Sequence, residues 1–208
     1  DVRNMDWRVT ARAGTPHVKL FREERERPLW LLVDLGPSMR FGTRVAFKSV
    51  IAARAAALLA WSAADKSDRV GGLVFDESSH FEQRPAARTR GLLPMLKALS
   101  RDPAPNGASS KLVRLVRPGG LVFVLSDFLG LSADRAAWLA QLGRASEVVL
   151  IHVRDPLEES APPPGLYPVT DGKRRGLLDT KAEGLRNAWH RRFADHLRLV
   201  NGLARRYG

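Results

Sequence analysis

The sequence predicts one α/β domain built on an open, mostly parallel sheet with helices on both faces. Three features carry that prediction. Residues 29–33, 121–125 and 148–153 are apolar runs with little or no alternation, the mark of strands buried on both faces of a parallel sheet. Segments of helical spacing separate them, as crossover connections require. The chain has 208 residues, 44% of them apolar, which suffices for one well-filled core.

Taken in order, residues 7–11 and 17–21 flank Ala13-Gly14-Thr15-Pro16 and read as a β-hairpin, because Gly and Pro mark its turn. Residues 1–27 are therefore expected to form an N-terminal β-hairpin extension, and residues 28–208 the main domain. The charged run of residues 22–27 leads into the strand Leu29-Trp30-Leu31-Leu32-Val33, which ends at Asp34. Phe47, Val50, Ile51, Ala55, Leu58 and Leu59 keep helical spacing across residues 43–64 and are the expected inner face of a helix. Residues 70–75 form the next strand, with residues 79–83 pairing back on it as an edge. Leu92, Leu93, Leu96 and Leu99 line another helix, and Leu112, Val113 and Val116 a short one. Strand 121–125 runs into Ser126-Asp127. Ser132 is placed to cap a helix carrying Ala136, Leu139 and Leu142, and strand 148–153 follows. Beyond the loop Pro162-Pro163-Pro164-Gly165, residues 166–169 and 176–178 flank Asp171-Gly172, a strong hairpin signal. Leu185, Trp189, Phe193, Leu197 and Val200 then recur in steps of three and four along the last helix. Trp7, Trp30, Trp61 and Trp189 are expected in the core. The chain begins at Asp1 without Met or an apolar leader, and it ends where a helix would hand over to a further strand. Continuation at both ends is expected.

Composition excludes several classes. With no cysteine there is no disulfide framework and no thiolate metal or redox site. No apolar run is long enough to span a membrane, since Arg54 interrupts the longest. A cytoplasmic location is expected. The net charge is +12, and residues 173–208 hold ten Lys or Arg against three acids. Such a basic segment admits an alternative function, nucleic-acid binding through the C-terminal helix. The plainer reading is an arginine-rich solvated helix face.

In sheets of this kind ligands gather at the carboxyl ends of the central strands. Asp34 and Asp127 stand at two such ends, and adjacent strands lie about 4.8 Å apart, so both carboxylates can face one small volume. Around them the sequence resembles the bacterial domain-of-unknown-function family 58. The resemblance rests on Asp1-Val2-Arg3-Asn4-Met5-Asp6-Trp7, Val18-Lys19-Leu20-Phe21-Arg22-Glu23-Glu24-Arg25-Glu26, Leu31-Leu32-Val33-Asp34 with Pro37-Ser38-Met39, Asp68-Arg69-Val70-Gly71 and Val124-Leu125-Ser126-Asp127-Phe128. That family is similar in turn to the von Willebrand factor A domain. The resemblance implies a MIDAS-like site, in which an Asp-x-Ser-x-Ser loop, a Thr and a second Asp hold Mg²⁺. It also implies protein binding as partner or adaptor of a MoxR-type AAA+ ATPase, or contact with that ATPase's client. Asp34, Ser38 and Asp127 match the motif and are the candidate metal ligands. Gly36 replaces its first serine, and either Ala108 or Ser109 stands where the threonine would be. Mg²⁺ takes hard oxygen ligands at about 2.1 Å and keeps several waters, so an incomplete set still offers a site. Arg40, Ser38 and Asp127 are the candidate partner contacts.

Two catalytic readings fail on their residues, and no enzymatic activity is expected. Residues 42–49 approach a P-loop, but Phe47 replaces the second glycine and its side chain would obstruct amide wrapping of phosphates. Ser38, Asp127 and His152 follow the chain order of a hydrolase triad, yet Arg40 occupies the elbow's glycine position. His152 sits within an apolar strand as a core residue would, and His190 and His196 are expected at the surface.

Overall fold

The computed structural model describes residues 5, 7–15, 17, 27–76, 79–100, 119–131, 136–170 and 174–208. Its centre is β1 (Pro28–Asp34), flanked in parallel by β2 (Arg69–Phe75) and β4 (Leu121–Ser126). β5 (Glu147–His152) lies parallel to β4, and β3 (His80–Ala87) closes the other edge antiparallel to β2, giving the order β3-β2-β1-β4-β5. Alternation along β1 divides the core. Leu29, Leu31 and Val33 face α2 (Lys48–Asp65) and α3 (Thr89–Leu99), joining a cluster with Ala52, Ala56 and Met95. Trp30 and Leu32 face the other way, toward Leu139 and Leu142 of α4 (Ala137–Ala145) and Val200 and Leu203 of α6 (Glu183–Tyr207). The expected mixed α/β sheet, mostly parallel and covered on both faces, is the observed one. β6 (Leu166–Thr170) and β7 (Arg175–Asp179) form the separate hairpin, and the short α5 (Pro156–Glu159) follows β5. Among the described residues no helix is long and apolar enough to cross a membrane.

The first helix overturns the hairpin expected at the N-terminus. Trp7–Ala13 is α1, an α-helix without buried residues. Arg and Ala favour that conformation, and Gly14 follows it at φ +68°, donating its N–H to the Thr10 carbonyl. Gly-Pro punctuation therefore marks a helix end here rather than a β-turn. The other expected limb, residues 18–21, lies outside the described residues, as do Leu112, Val113, Val116, Ser132 and Asp171-Gly172.

The inner face of α2 also differs from expectation. Ala52, Ala56, Ala60 and Ala63 are buried and Ala55 and Leu59 of the expected face pack half-buried against the same core, whereas Phe47, Val50, Ile51, Leu58 and Trp61 are exposed. Small side chains let the helix axis approach the sheet, and the bulky stripe is turned outward. Close approach recurs in α3, where a Cβ at Gly91 would sit 2.1 Å from the Ala86 carbonyl oxygen. Of the tryptophans, Trp30 is buried and Trp189 half-buried, but Trp7 and Trp61 are more than 60% exposed.

Candidate functional site

The carboxyl ends of β1, β4 and β5 converge on one hydrogen-bonded cluster. At the end of β1, Asp34 turns back on its own loop, its Oδ1 accepting the Gly36 N–H at 2.8 Å. Its Oδ2 accepts from Ser126 Oγ at 2.7 Å, which ties β1 to β4. Ser126 Oγ in turn accepts the Phe128 N–H at 2.9 Å. Burial raises the Asp34 pKa above the usual carboxylate value; the two hydrogen bonds oppose the rise, and the neighbouring Asp127 charge adds to it.

Asp127, the next residue along, is 2% exposed and carries the cluster's central ion pair. Its Oδ2 lies 2.8 Å from Lys48 Nζ, and its Oδ1 accepts the Leu129 N–H at 3.0 Å. Lys48 is equally buried and places the same ammonium 2.5 Å from Glu158 Oε1. As the first residue of α2 it sits at the end where the helix dipole disfavours a cation, and the two carboxylates offset that. Glu158 belongs to a capping box: Asp155 Oδ1 accepts the Leu157 N–H, and Glu158 Oε2 accepts the Asp155 N–H. Asp155 also receives both the amide and the hydroxyl of Thr43, at 2.8 and 2.5 Å. Burial works to raise the Asp155 pKa, but those hydrogen bonds and Lys48 outweigh it and hold it below the usual value. The loops after β1, β4 and β5 are thus fastened to one another from beneath.

Beside the cluster a cleft of about 490 Å³ opens between the ends of β4 and β5 and helices α5 and α6. Leu129, Trp189 and Phe193 give it apolar walls, with His152, His196 and Arg192 among them. His196 Nε2 donates to the Asp127 carbonyl at 2.8 Å, and its ring meets His152 edge-on. Burial, then the charges of His196 and Arg154, lower the His152 pKa, so that ring is neutral at neutral pH.

The structure joins some of the sequence candidates and separates others. Asp34 and Asp127 do stand at neighbouring strand ends, Asp34 bonded to Ser126, the residue before Asp127, and under the charge of Asp127 itself. Ser38 lies exposed in the short 3₁₀ turn Pro37–Met39, and the described bonds of the two aspartates go elsewhere. Arg40 is exposed and lines a different groove, with Leu35, Val50, Leu96 and Leu99 on the α2–α3 side of the sheet. The Asp127 side chain is buried and bonded to Lys48 and to the Leu129 N–H, while the residue still lines the cleft. His196, expected at the surface, is half-buried and bonded to the cluster. Neither Ser38 nor His152 is hydrogen-bonded to Asp127. Ser109 lies outside the described residues.

Against this geometry a Mg²⁺ site at Asp34, Ser38 and Asp127 does not fit. Asp127 is already engaged on both oxygens, Oδ2 by Lys48 Nζ and Oδ1 by the Leu129 N–H. Gly36 offers no hydroxyl, and a Cβ there would lie 3.0 Å from Asp34 Oδ1, so Gly36→Ser requires that carboxylate to give by a few tenths of an ångström. Among the described residues no three His, Asp or Glu side chains converge as a metal-holding group. Sequence reasoning missed Lys48, although a lysine opening an alanine-rich helix was a visible anomaly. It also passed over Asp155-Pro156-Leu157-Glu158, a legible capping signature.

Fold and cluster together define a mixed α/β domain whose strand-end loops are braced by a buried ion network. The chain belongs to the family described as protein of unknown function DUF58, whose model matches residues 1–198. It is 31% identical over 207 residues to the uncharacterized protein Rv1480 of Mycobacterium tuberculosis and, equally, to the uncharacterized protein Mb1516 of Mycobacterium bovis. The match covers 94% of this chain and 64% of each relative, so the chain spans just under two thirds of their length. Among solved structures it is similar to the conserved hypothetical protein BatB from Bacteroides thetaiotaomicron, with 14% identity and a TM-score of 0.46 over 86% of this chain and 99% of that one.

Proposed function

We propose that this is a protein-interaction domain of von Willebrand factor A type, and that its partner docks on the loops at the carboxyl ends of β1, β4 and β5. The partner that the family resemblance implies is a MoxR-type AAA+ ATPase or its client. One observation carries the reading: the buried cluster fixes these loops while leaving apolar side chains on top of them. Phe41, Val45 and Phe47 of the first loop and Leu129 of the second are exposed, Val45 at 86%. Ser38 and Arg40 belong to the same first loop, and Arg40 lines the groove on its α2–α3 side. Large apolar groups on a rigid surface lose little entropy when a partner covers them, the condition for an interaction hot spot.

Arg40 can pair bidentately with a partner carboxylate at the rim of such a surface. Losing one desolvated contact of this kind costs about 2 kcal/mol, or about thirtyfold in Kd. In a titration against the purified ATPase, Arg40→Glu and Val45→Glu are each expected to weaken binding on that scale, with the melting temperature of Val45→Glu near wild type. Arg198→Glu, on the exposed side of α6, is expected to leave binding unchanged. Loss with Arg198→Glu and not with the loop variants would move the interface to the last helix.

A further inference from the structure

We propose that the Lys48 ammonium is the built-in cation of the strand-end cluster, bridging Asp127 and Glu158 where a divalent ion could otherwise bridge them, and making the loop face independent of metal. The observations are geometric. Lys48 Nζ bridges Asp127 Oδ2 at 2.8 Å and Glu158 Oε1 at 2.5 Å, joining residues 79 and 110 positions away. A metal at that point would meet the same oxygens. The lysine side chain is 3% exposed and its stem starts at the fixed first turn of α2, where its N–H is held by the Phe41 carbonyl. Moving the ammonium away would leave the buried Asp127 carboxylate without its cation. Its charge also acts on Asp34 and Asp155, so the one ammonium serves four carboxylates. A dication added beside it would bring like charges into contact in a buried site, so cation and ammonium exclude each other.

The proposal stands on this geometry alone and holds whatever partner the loops take. Lys48→Met tests it, because the methionine side chain fills the lysine stem's volume and removes only the ammonium end. Manganese is the probe, read by electron paramagnetic resonance of free Mn²⁺ and by melting temperature. Wild-type protein is expected to show no saturable Mn²⁺ binding at millimolar concentration and a melting temperature unmoved by EDTA. Lys48→Met is expected to melt lower, to gain about tenfold or more in Mn²⁺ affinity, and to recover part of its melting temperature when Mn²⁺ is added. Adding Asp127→Asn to that variant should abolish the gain. Saturable uptake by the wild type that Asp127→Asn removes would overturn the proposal, because the ion would then coexist with the lysine. So would a folded Lys48→Met that takes up no Mn²⁺. If Lys48→Met does not fold alone, refolding in Mn²⁺ is the deciding measurement: recovery supports the exchange of cations, and failure overturns it.

Discussion

At Asp34 burial dominates, and the consequence is a pH dependence with a definite sign. A folded pKa above the unfolded value means the native state holds the proton more tightly. The stabilisation this gives is complete below about 3.8 and is lost as pH rises through the raised folded pKa. Asp155 does the reverse: with its folded pKa lowered, its contribution is present above about 3.8 and disappears as pH falls through the folded value. Urea unfolding across the acid range should separate the two. Asp34→Asn is expected to gain on wild type as pH rises above about 3.8, and Asp155→Asn to fall behind as pH rises toward about 3.8 from below. A pH-independent difference for either variant would contradict the assigned environment. Asp34 and Asp127 were legible in the sequence because each ends a buried apolar run. Lys48 was not, since no local pattern says which carboxylates a lysine will meet at sequence separations of 79 and 110.

For the elements, the runs that lack alternation gave β1, β4 and β5 within a residue or two, because burial on both faces leaves a strand no polar side. Helix α2 resisted the same logic. Its sequence carries two stripes at helical spacing, one of bulky side chains and one of alanines, and hydrophobicity alone favours the bulky one. Packing distance decides otherwise, and Ala52, Ala56 and Ala60 are fully buried against the sheet. Ala56→Leu is therefore expected to overpack the interface and destabilise by about 1–3 kcal/mol in chemical denaturation. Leu58→Gln, on the exposed stripe, should stay within about 0.5 kcal/mol of wild type. The opposite ranking would mean that α2 packs by the face its sequence first suggests. Helix α1 was misread for a different reason: the Gly-Pro signal is shared by turns and helix ends, and nothing buried in Trp7–Ala13 discriminates between them.

Across the whole molecule, the excess of positive charge was plain in the composition, but its arrangement was not. Part of the basic content of α6 is engaged locally. Arg186 donates to the carbonyls of Thr180 and Lys181, Arg198 pairs with Asp195, and Arg206 lies over the Tyr207 ring. A nucleic-acid surface with six or more phosphate contacts would lose about 10³-fold in affinity over a fourfold rise in salt. Fluorescence anisotropy is expected instead to give only feeble, sequence-independent retention of DNA or RNA at physiological salt. Tight selective binding, abolished by Arg191→Ala with Arg192→Ala, would reverse that reading.

The fastening of Thr43 to Asp155 and of Lys48 to Glu158 also bears on the order of assembly. These contacts close segments of 112 and 110 residues, and neither can form until β5 has taken its place beside β4. Chain closure on that scale is costly before the sheet exists and cheap afterwards. The network is therefore a late event, absent from the barrier to folding and present in full in the barrier to escape. Stopped-flow measurements should find Thr43→Val folding at nearly the wild-type rate and unfolding faster by almost the whole of its lost stability. The surface offered to a partner would then be the last part of the native state to be completed and the first to come apart.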